Sequence, residues 1–229
     1  MQPVFNLDPS KDLIENIRAG QIVLVDKPLT WTSFQVVNKM RYLLKQQLGI
    51  KKIKVGHAGT LDPLASGLLV ICIGRKTKEI ESFTNESKVY TGTFTLGATT
   101  PSFDLETEID NHFPFDHITK EDIQDVAKSF LGEQVQTPPI FSAKKIDGKR
   151  AYKSARQGEE VKMRPNYITI NRFEITGVED DKVDFLIEAS KGTYIRTIAN
   201  DFGMRLNSGA HLSALRRTKS GDFSIEDAC

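Results

Sequence analysis

The sequence predicts an α+β fold, a mixed, mostly antiparallel sheet with helices beside it. Helical and alternating patterns follow one another without a βαβ rhythm, two of the strand patterns are joined by a short acidic turn, and hydrophobic residues at 39% with charged residues at 27% are ordinary globular proportions. Residues 21–25 read as a strand that stops at Asp26-Lys27-Pro28, because proline cannot donate to a ladder. Thr32 or Ser33 then caps a helix in which Val36, Val37, Met40, Leu43, Leu44 and Leu48 fall at helical spacing, and Gly49 suits its end. Residues 88–96 alternate, with Tyr90, Gly92, Phe94 and Leu96 on one face. Thr119 with Asp122 three positions later opens a second helix, whose apolar stripe is Ile123, Val126, Ala127, Phe130 and Leu131. Residues 167–178 and 183–189 form a hairpin across Glu179-Asp180-Asp181. After Gly192, Ile195, Ile198, Ala199, Phe202 and Leu206 mark a third helix with Arg196 in its first turn. A cation there opposes the helix dipole, so Arg196 has another task.

The 229 residues contain no internal repeat or linker-like tract, so one domain, 1–229, is expected. Cys72 and Cys229 cannot build a disulfide framework, which points to a reducing, cytoplasmic setting. The longest purely apolar run, residues 68–73, is far short of the roughly 20 residues of a membrane span, and no secretory pattern opens the chain. Net charge is +1, yet the charges are segregated. Lys39, Arg41, Lys45, Lys51, Lys52 and Lys54 form an acid-free group. Lys144, Lys145, Lys149, Arg150, Lys153 and Arg156 surround the single acid Asp147, and Arg205, Arg216, Arg217 and Lys219 form a third group. Acids concentrate in 104–125 and 179–184, so a basic face suited to a polyanion is expected opposite an acidic one.

The densest segment is Gly56-His57-Ala58-Gly59-Thr60-Leu61-Asp62-Pro63-Leu64-Ala65-Ser66-Gly67. Two readings of Asp62 stand side by side. It is the N-cap of a helix that Pro63 begins, or it is a nucleophile or general base held by the proline and reached past the glycines. The four histidines show no metal-ligand spacing, which excludes zinc. Gly74-Arg75-Lys76-Thr77 lacks the glycine-lysine pair of a phosphate loop, and no Gly-x-Ser-x-Gly elbow is present.

The same segment, read through Leu69, resembles the catalytic motif of the TruB family of pseudouridine synthases. Other stretches agree in order: Asp26-Lys27-Pro28 with Thr32-Ser33, Lys88-Val89-Tyr90, Pro138-Pro139-Ile140-Phe141-Ser142-Ala143, Gly148-Lys149-Arg150-Ala151-Tyr152, Ser190-Lys191-Gly192-Thr193-Tyr194-Ile195-Arg196-Thr197, Gly209-Ala210-His211-Leu212 and Leu215-Arg216-Arg217-Thr218. The resemblance implies the pseudouridine synthase fold and isomerisation of uridine 55 in the T-loop of tRNA, with no cofactor and no metal. It implies a monomer that takes the tRNA T-arm, and neither DNA nor a membrane.

By similarity Asp62 is the nucleophile, Arg196 the cation that keeps it ionised in a closed pocket, and Tyr90 the aromatic that stacks on the target uracil. The resemblance makes Tyr194 a second pocket tyrosine and gives His57 a contact to RNA beside the flipped base. Lys27 is implied to contact RNA backbone or brace the catalytic loop. An insertion at about 138–160, with Lys149 and Arg150, corresponds to the part of the family that closes over the T-loop. The chain departs from the family at Thr30, where a glycine is usual and a differently built turn is expected, and at Asn207-Ser208-Gly209, where Gly-Cys-Gly is usual. It stops at Cys229, so no C-terminal PUA domain is expected. Competing readings are a tRNA-folding helper, for which Asp62 has no purpose, and a guide-directed synthase.

Overall fold

The computed structural model describes residues 13–49, 52–141, 145–146, 149–150 and 163–229. In chain order the elements are α1 (Leu13–Ala19), β1 (Gln21–Lys27), α2 (Ser33–Leu48), β2 (Val55–Ala58), β3 (Ala65–Ile73), a 3-10 turn (Gly74–Glu79), α3 (Ile80–Asn85) and β4 (Lys88–Leu96). There follow β5 (Ala98–Thr99), β6 (Asn111–His112), α4 (Lys120–Lys128), β7 (Gly132–Gln136), β8 (Lys145–Ile146) and β9 (Lys149–Arg150). The chain then continues through β10 (Asn166–Glu179), β11 (Lys182–Ala189), α5 (Ile195–Arg205), β12 (Ala210–Ser220) and β13 (Phe223–Ser224). Two compact units result, residues 1–90 with 216–229, and residues 91–215.

In the first unit β3 is the central strand. β1 runs antiparallel to it, with Lys27 opposite Gly67, and β2 does the same with His57 opposite Ile71. β12 is also a neighbour of β3. Every residue of β3 from Gly67 to Ile73 is buried, which explains a continuous apolar run instead of alternation. α2 begins at a capping box: the Thr32 side chain accepts from the Gln35 N–H, and the Gln35 side chain accepts from the Thr32 N–H. It ends at Gly49 with φ of 65°, the left-handed closure that a glycine favours. Its Val36, Val37, Met40 and Leu44 join Val23, Leu69, Ile71 and Ile73 in one core cluster.

The helix-cap reading of Asp62 is overturned by β3. Pro63 and Leu64 form a turn and Ala65 starts a strand, so no helix follows Asp62.

In the second unit the strand order is β12, β4, β11, β10, β7. The expected hairpin is β10 and β11, antiparallel with Val178 opposite Val183, and β7 pairs with the outer side of β10. The sheet neighbours whose register is defined are antiparallel, as an α+β chain of this pattern should have. The core is aromatic: Phe94 lies 4.3 Å from Phe185 and 5.3 Å from Phe202 by ring centroids, and Phe173 and Phe130 complete the cluster. α4 starts at the Thr119–Asp122 capping box. Its stripe ends sooner than expected, because the helix stops at Lys128: Phe130 is buried, but Leu131 is exposed. Lys145 and Ile146 pair antiparallel with Arg150 and Lys149. The side chains of Lys149 and Arg150, and most of the expected 138–160 insertion, including Tyr152, lie outside the described residues.

Candidate active site

The loop between β2 and β3 carries Asp62, and neighbouring elements hold it at several points. The Ser33 hydroxyl, at the start of α2, accepts from the Leu61 N–H at 2.9 Å and donates to the Leu61 carbonyl at 3.1 Å. The Thr30 N–H donates to the Pro63 carbonyl at 2.8 Å, and the Ala65 N–H donates to the carbonyl of Asp62 itself at 3.1 Å. Residues on both sides of the half-buried carboxylate are thus tied to the scaffold, an arrangement that holds a reacting group in place.

Lys27, the last residue of β1, is fully buried. Its ammonium donates to the Pro28 carbonyl at 3.0 Å and the Trp31 carbonyl at 2.6 Å. Burial pushes its pKa down to about 8, the Asp62 carboxylate opposes that shift, and Arg217 adds to it. Lysine and carboxylate are therefore electrostatic neighbours, and the hydrogen bonds of the ammonium go to the turn between β1 and α2. His57, on β2, is held below its ordinary pKa by burial and by Arg217. Its Nδ1 is buried without a hydrogen-bond partner among the described residues. Tyr90 is half-buried on β4, in the same unit.

The second unit holds Tyr194 and Arg196 at the start of α5. Tyr194 caps the helix with its backbone: its N–H donates to the Gln136 side chain at 2.8 Å and its carbonyl accepts from that side chain at 3.1 Å. Arg196 is 4% exposed and its Nε lies 3.6 Å from Asp104 Oδ2. Its guanidinium also donates to the Ser102 and Phe141 carbonyls at 3.3 and 3.0 Å. Asp104 is oriented in turn by the Ser102 hydroxyl at 2.6 Å and the Glu106 N–H at 2.9 Å.

Two expectations about charge are corrected here. Asp104, counted with a solvated acidic face, is buried and paired with Arg196, and Arg217, counted with an exposed basic group, is 1% exposed. Sequence reasoning missed both. For Asp104 no local signal existed; for Arg217 the two-residue period of a strand, which sends Arg216 and Arg217 to opposite faces, was a usable one. Among the described residues no group of three His, Cys, Asp or Glu is placed to hold a metal ion, and no helix is long and apolar enough to cross a membrane.

Residues 45–195 match the model of the TruB family pseudouridylate synthase N-terminal domain, and residues 196–229 match that of the tRNA pseudouridylate synthase B C-terminal domain. The chain is 55% identical over 215 residues to tRNA pseudouridine synthase B of Flavobacterium johnsoniae, covering 93% of this chain and 94% of that one. It is 52% identical over 212 residues to the protein of the same name from Phocaeicola vulgatus, covering 93% and 90%. Among solved structures it is similar to a chain of a Cbf5-Nop10-Gar1 complex, with a TM-score of 0.69 and 29% identity over 97% of this chain. A chain of an H/ACA RNP bound to a substrate RNA containing 2'-deoxyuridine gives a TM-score of 0.66 at 27% identity. The present chain spans 55% of the length of each of those two.

Proposed function

Because the chain belongs to the TruB family of pseudouridylate synthases, we propose that it converts uridine to pseudouridine in the T-loop of tRNA, at position 55, with Asp62 as nucleophile. The observation that carries this reading is the Asp62 loop, tied to its scaffold before and after the carboxylate and set beside a buried lysine. The isomerisation breaks the N1–C1′ bond of uridine, turns the uracil while it is held, and forms a C5–C1′ bond. The proton on C5 leaves to solvent and N1 gains one, so atoms balance without a co-reactant. Attack by Asp62 at C1′ of the sugar or at C6 of the base begins alike, with an ionised carboxylate in a site that has excluded much of its water. A neighbouring positive charge favours that form.

Lys27 supplies one such charge and braces the turn through the Pro28 and Trp31 carbonyls. Arg196 is a second fixed cation in this reading, and its restraint by Asp104 and two carbonyls suits a group that must not move. Tyr90 stacks on the uracil, Tyr194 lines the pocket, His57 contacts the RNA beside the flipped nucleotide, and Lys149 and Arg150 contact phosphates of the T-arm.

The test is release of tritium from C5 of uridine in a T-arm hairpin. Purified wild-type protein should release it without added metal. Asp62→Asn should bind the hairpin and lose release by roughly three orders of magnitude or more. Wild-type turnover by Asp62→Asn would remove Asp62 from the chemistry. Tight hairpin binding with no release by the wild type would leave an RNA-folding role in its place.

A further inference from the structure

The loop that carries Asp62 leaves β2 at one end and enters β3 at the other, and one side chain bonds both the first residue of the loop and the strand it enters. Arg217 of β12 donates from Nη2 to the Gly59 carbonyl at 3.0 Å and from Nε to the Leu68 carbonyl at 2.7 Å. Two glycines, Gly59 in the loop and Gly67 in β3, are shaped around it. A Cβ on Gly59, whose φ is +80°, would meet Arg217 Nη1 at 3.2 Å. A Cβ on Gly67, whose φ is +102°, would collide with the Arg217 carbonyl and lie 2.8 Å from its nitrogen. Backbone and guanidinium of a single residue therefore set the approach of both arms.

Hydrogen bonds to two carbonyls do not by themselves require a cation. Arg217 is 1% exposed, and among the described residues its hydrogen-bond partners are carbonyl oxygens, with no carboxylate in ion-pair range. The adjacent Arg216 shows the ordinary alternative: it is half-buried and its two terminal nitrogens meet the Asp26 carboxylate at 3.1 and 2.6 Å. A buried guanidinium without a paired carboxylate is costly to keep. Here the charge reaches two residues of the candidate site, lowering the proton affinity of both Lys27 and His57.

We propose that Arg217 is a positioning residue for the isomerisation, joining the two arms of the Asp62 loop and keeping a fixed positive charge within reach of His57 and Lys27. The proposal rests on the pseudouridine synthase reading above. Arg217 touches neither sugar nor base; it acts through the loop and through His57, whose proton affinity burial lowers first and the Arg217 charge lowers further.

Two substitutions separate the fork from the charge. Arg217→Gln removes both, and Arg217→Lys keeps the charge while losing the forked geometry. In the tritium-release assay each folded variant should lose kcat by about tenfold to a hundredfold, with KM within about threefold of wild type, as a displaced reacting group predicts. His57 is followed separately by NMR titration of its ring. Its pKa should rise in Arg217→Gln and stay at the wild-type position in Arg217→Lys. Arg216→Gln, which loses a carboxylate pair on the opposite face, should leave the His57 titration in place. A purely structural arginine would lower the amount of folded protein and leave the titration of that folded fraction unmoved. Wild-type kcat in either folded variant, or an unmoved His57 in folded Arg217→Gln, overturns the proposal. Should Arg217→Gln not fold, Arg217→Lys decides by its kcat alone. If the wild type releases no tritium, it is the function reading that fails, and the His57 titration still reports whether the Arg217 charge acts where stated.

Discussion

Thr30 has a φ of 69°, in the left-handed region where a β-branched side chain is strained. Its N–H is held by the Pro63 carbonyl, one residue beyond Asp62, so the strain is maintained by the loop it supports. The family resemblance suggested that a threonine in the usual place of a glycine would build a different turn; here the threonine lies in the left-handed region that a glycine favours. Thr30→Gly should therefore stabilise the fold, by about 1 kcal/mol, since relief of strain exceeds the extra entropy of the unfolded glycine. Urea unfolding measures this, and a loss of stability would mean that the turn carries no strain. Asn207 has a φ of 53°, again where the family usually has glycine, but asparagine tolerates that region and no comparable gain is expected. At this scale the sequence displayed Asp62 within its motif and Arg196 by its conflict with the helix dipole. It hid Asp104, because a charged residue in a string of letters looks the same whether it faces water or a buried partner; Arg217 could be told from Arg216 by alternation once β12 was known to be a strand.

The start of α2 shows how an element places a reacting group. The sequence left Thr32 and Ser33 as equal candidates for the cap, and the structure divides the work: Thr32 caps the helix, while Ser33 reaches across to both backbone groups of Leu61. Ser33 and Leu61 are both buried, 2% and 3% exposed, so Ser33→Ala leaves the Leu61 N–H without its partner and without water. The expected cost is about 1 to 3 kcal/mol. Because Leu61 precedes Asp62, kcat should fall more than KM rises. Equal loss in a folded variant would show that the clamp serves stability alone. The elements legible in the sequence were β1, α2, β4, α4, the β10–β11 hairpin and α5; of these α2, α4 and the hairpin have a wet face, where the period of the pattern reports the geometry. β3 and β12 were not legible as strands. β3 is buried on both faces and carries no alternation, and the basic residues of β12 read as a surface group although Arg217 lies inside. The cap reading of Asp62 failed for the same reason, since it depended on mistaking the beginning of β3 for a helix.

For the molecule as a whole, Lys27 makes stability depend on pH in a direction that can be worked out. Its folded pKa is about 8, against an ordinary value of 10.5. Below about pH 8 the lysine is protonated in both states, and folding bears the full cost of burying the charge. Between about 8 and 10.5 the folded protein has released the proton and the unfolded chain still binds it, so unfolding takes up a proton and stability rises with pH. Above that range both states are neutral and the contribution levels off. The full span corresponds to roughly 3 kcal/mol. Other groups titrate in the same interval, so the measurement is a difference: urea unfolding of wild type and Lys27→Met at several pH values from 7 to 10.5. The variant loses the hydrogen bonds to the Pro28 and Trp31 carbonyls at every pH, because a neutral lysine can still donate them, and this offset cancels. What remains should be a wild-type curve that climbs relative to Lys27→Met as pH increases. Parallel curves would mean that the ammonium is better solvated than its burial implies, and that Lys27 holds the turn after β1 by its hydrogen bonds without a charge forced beside Asp62.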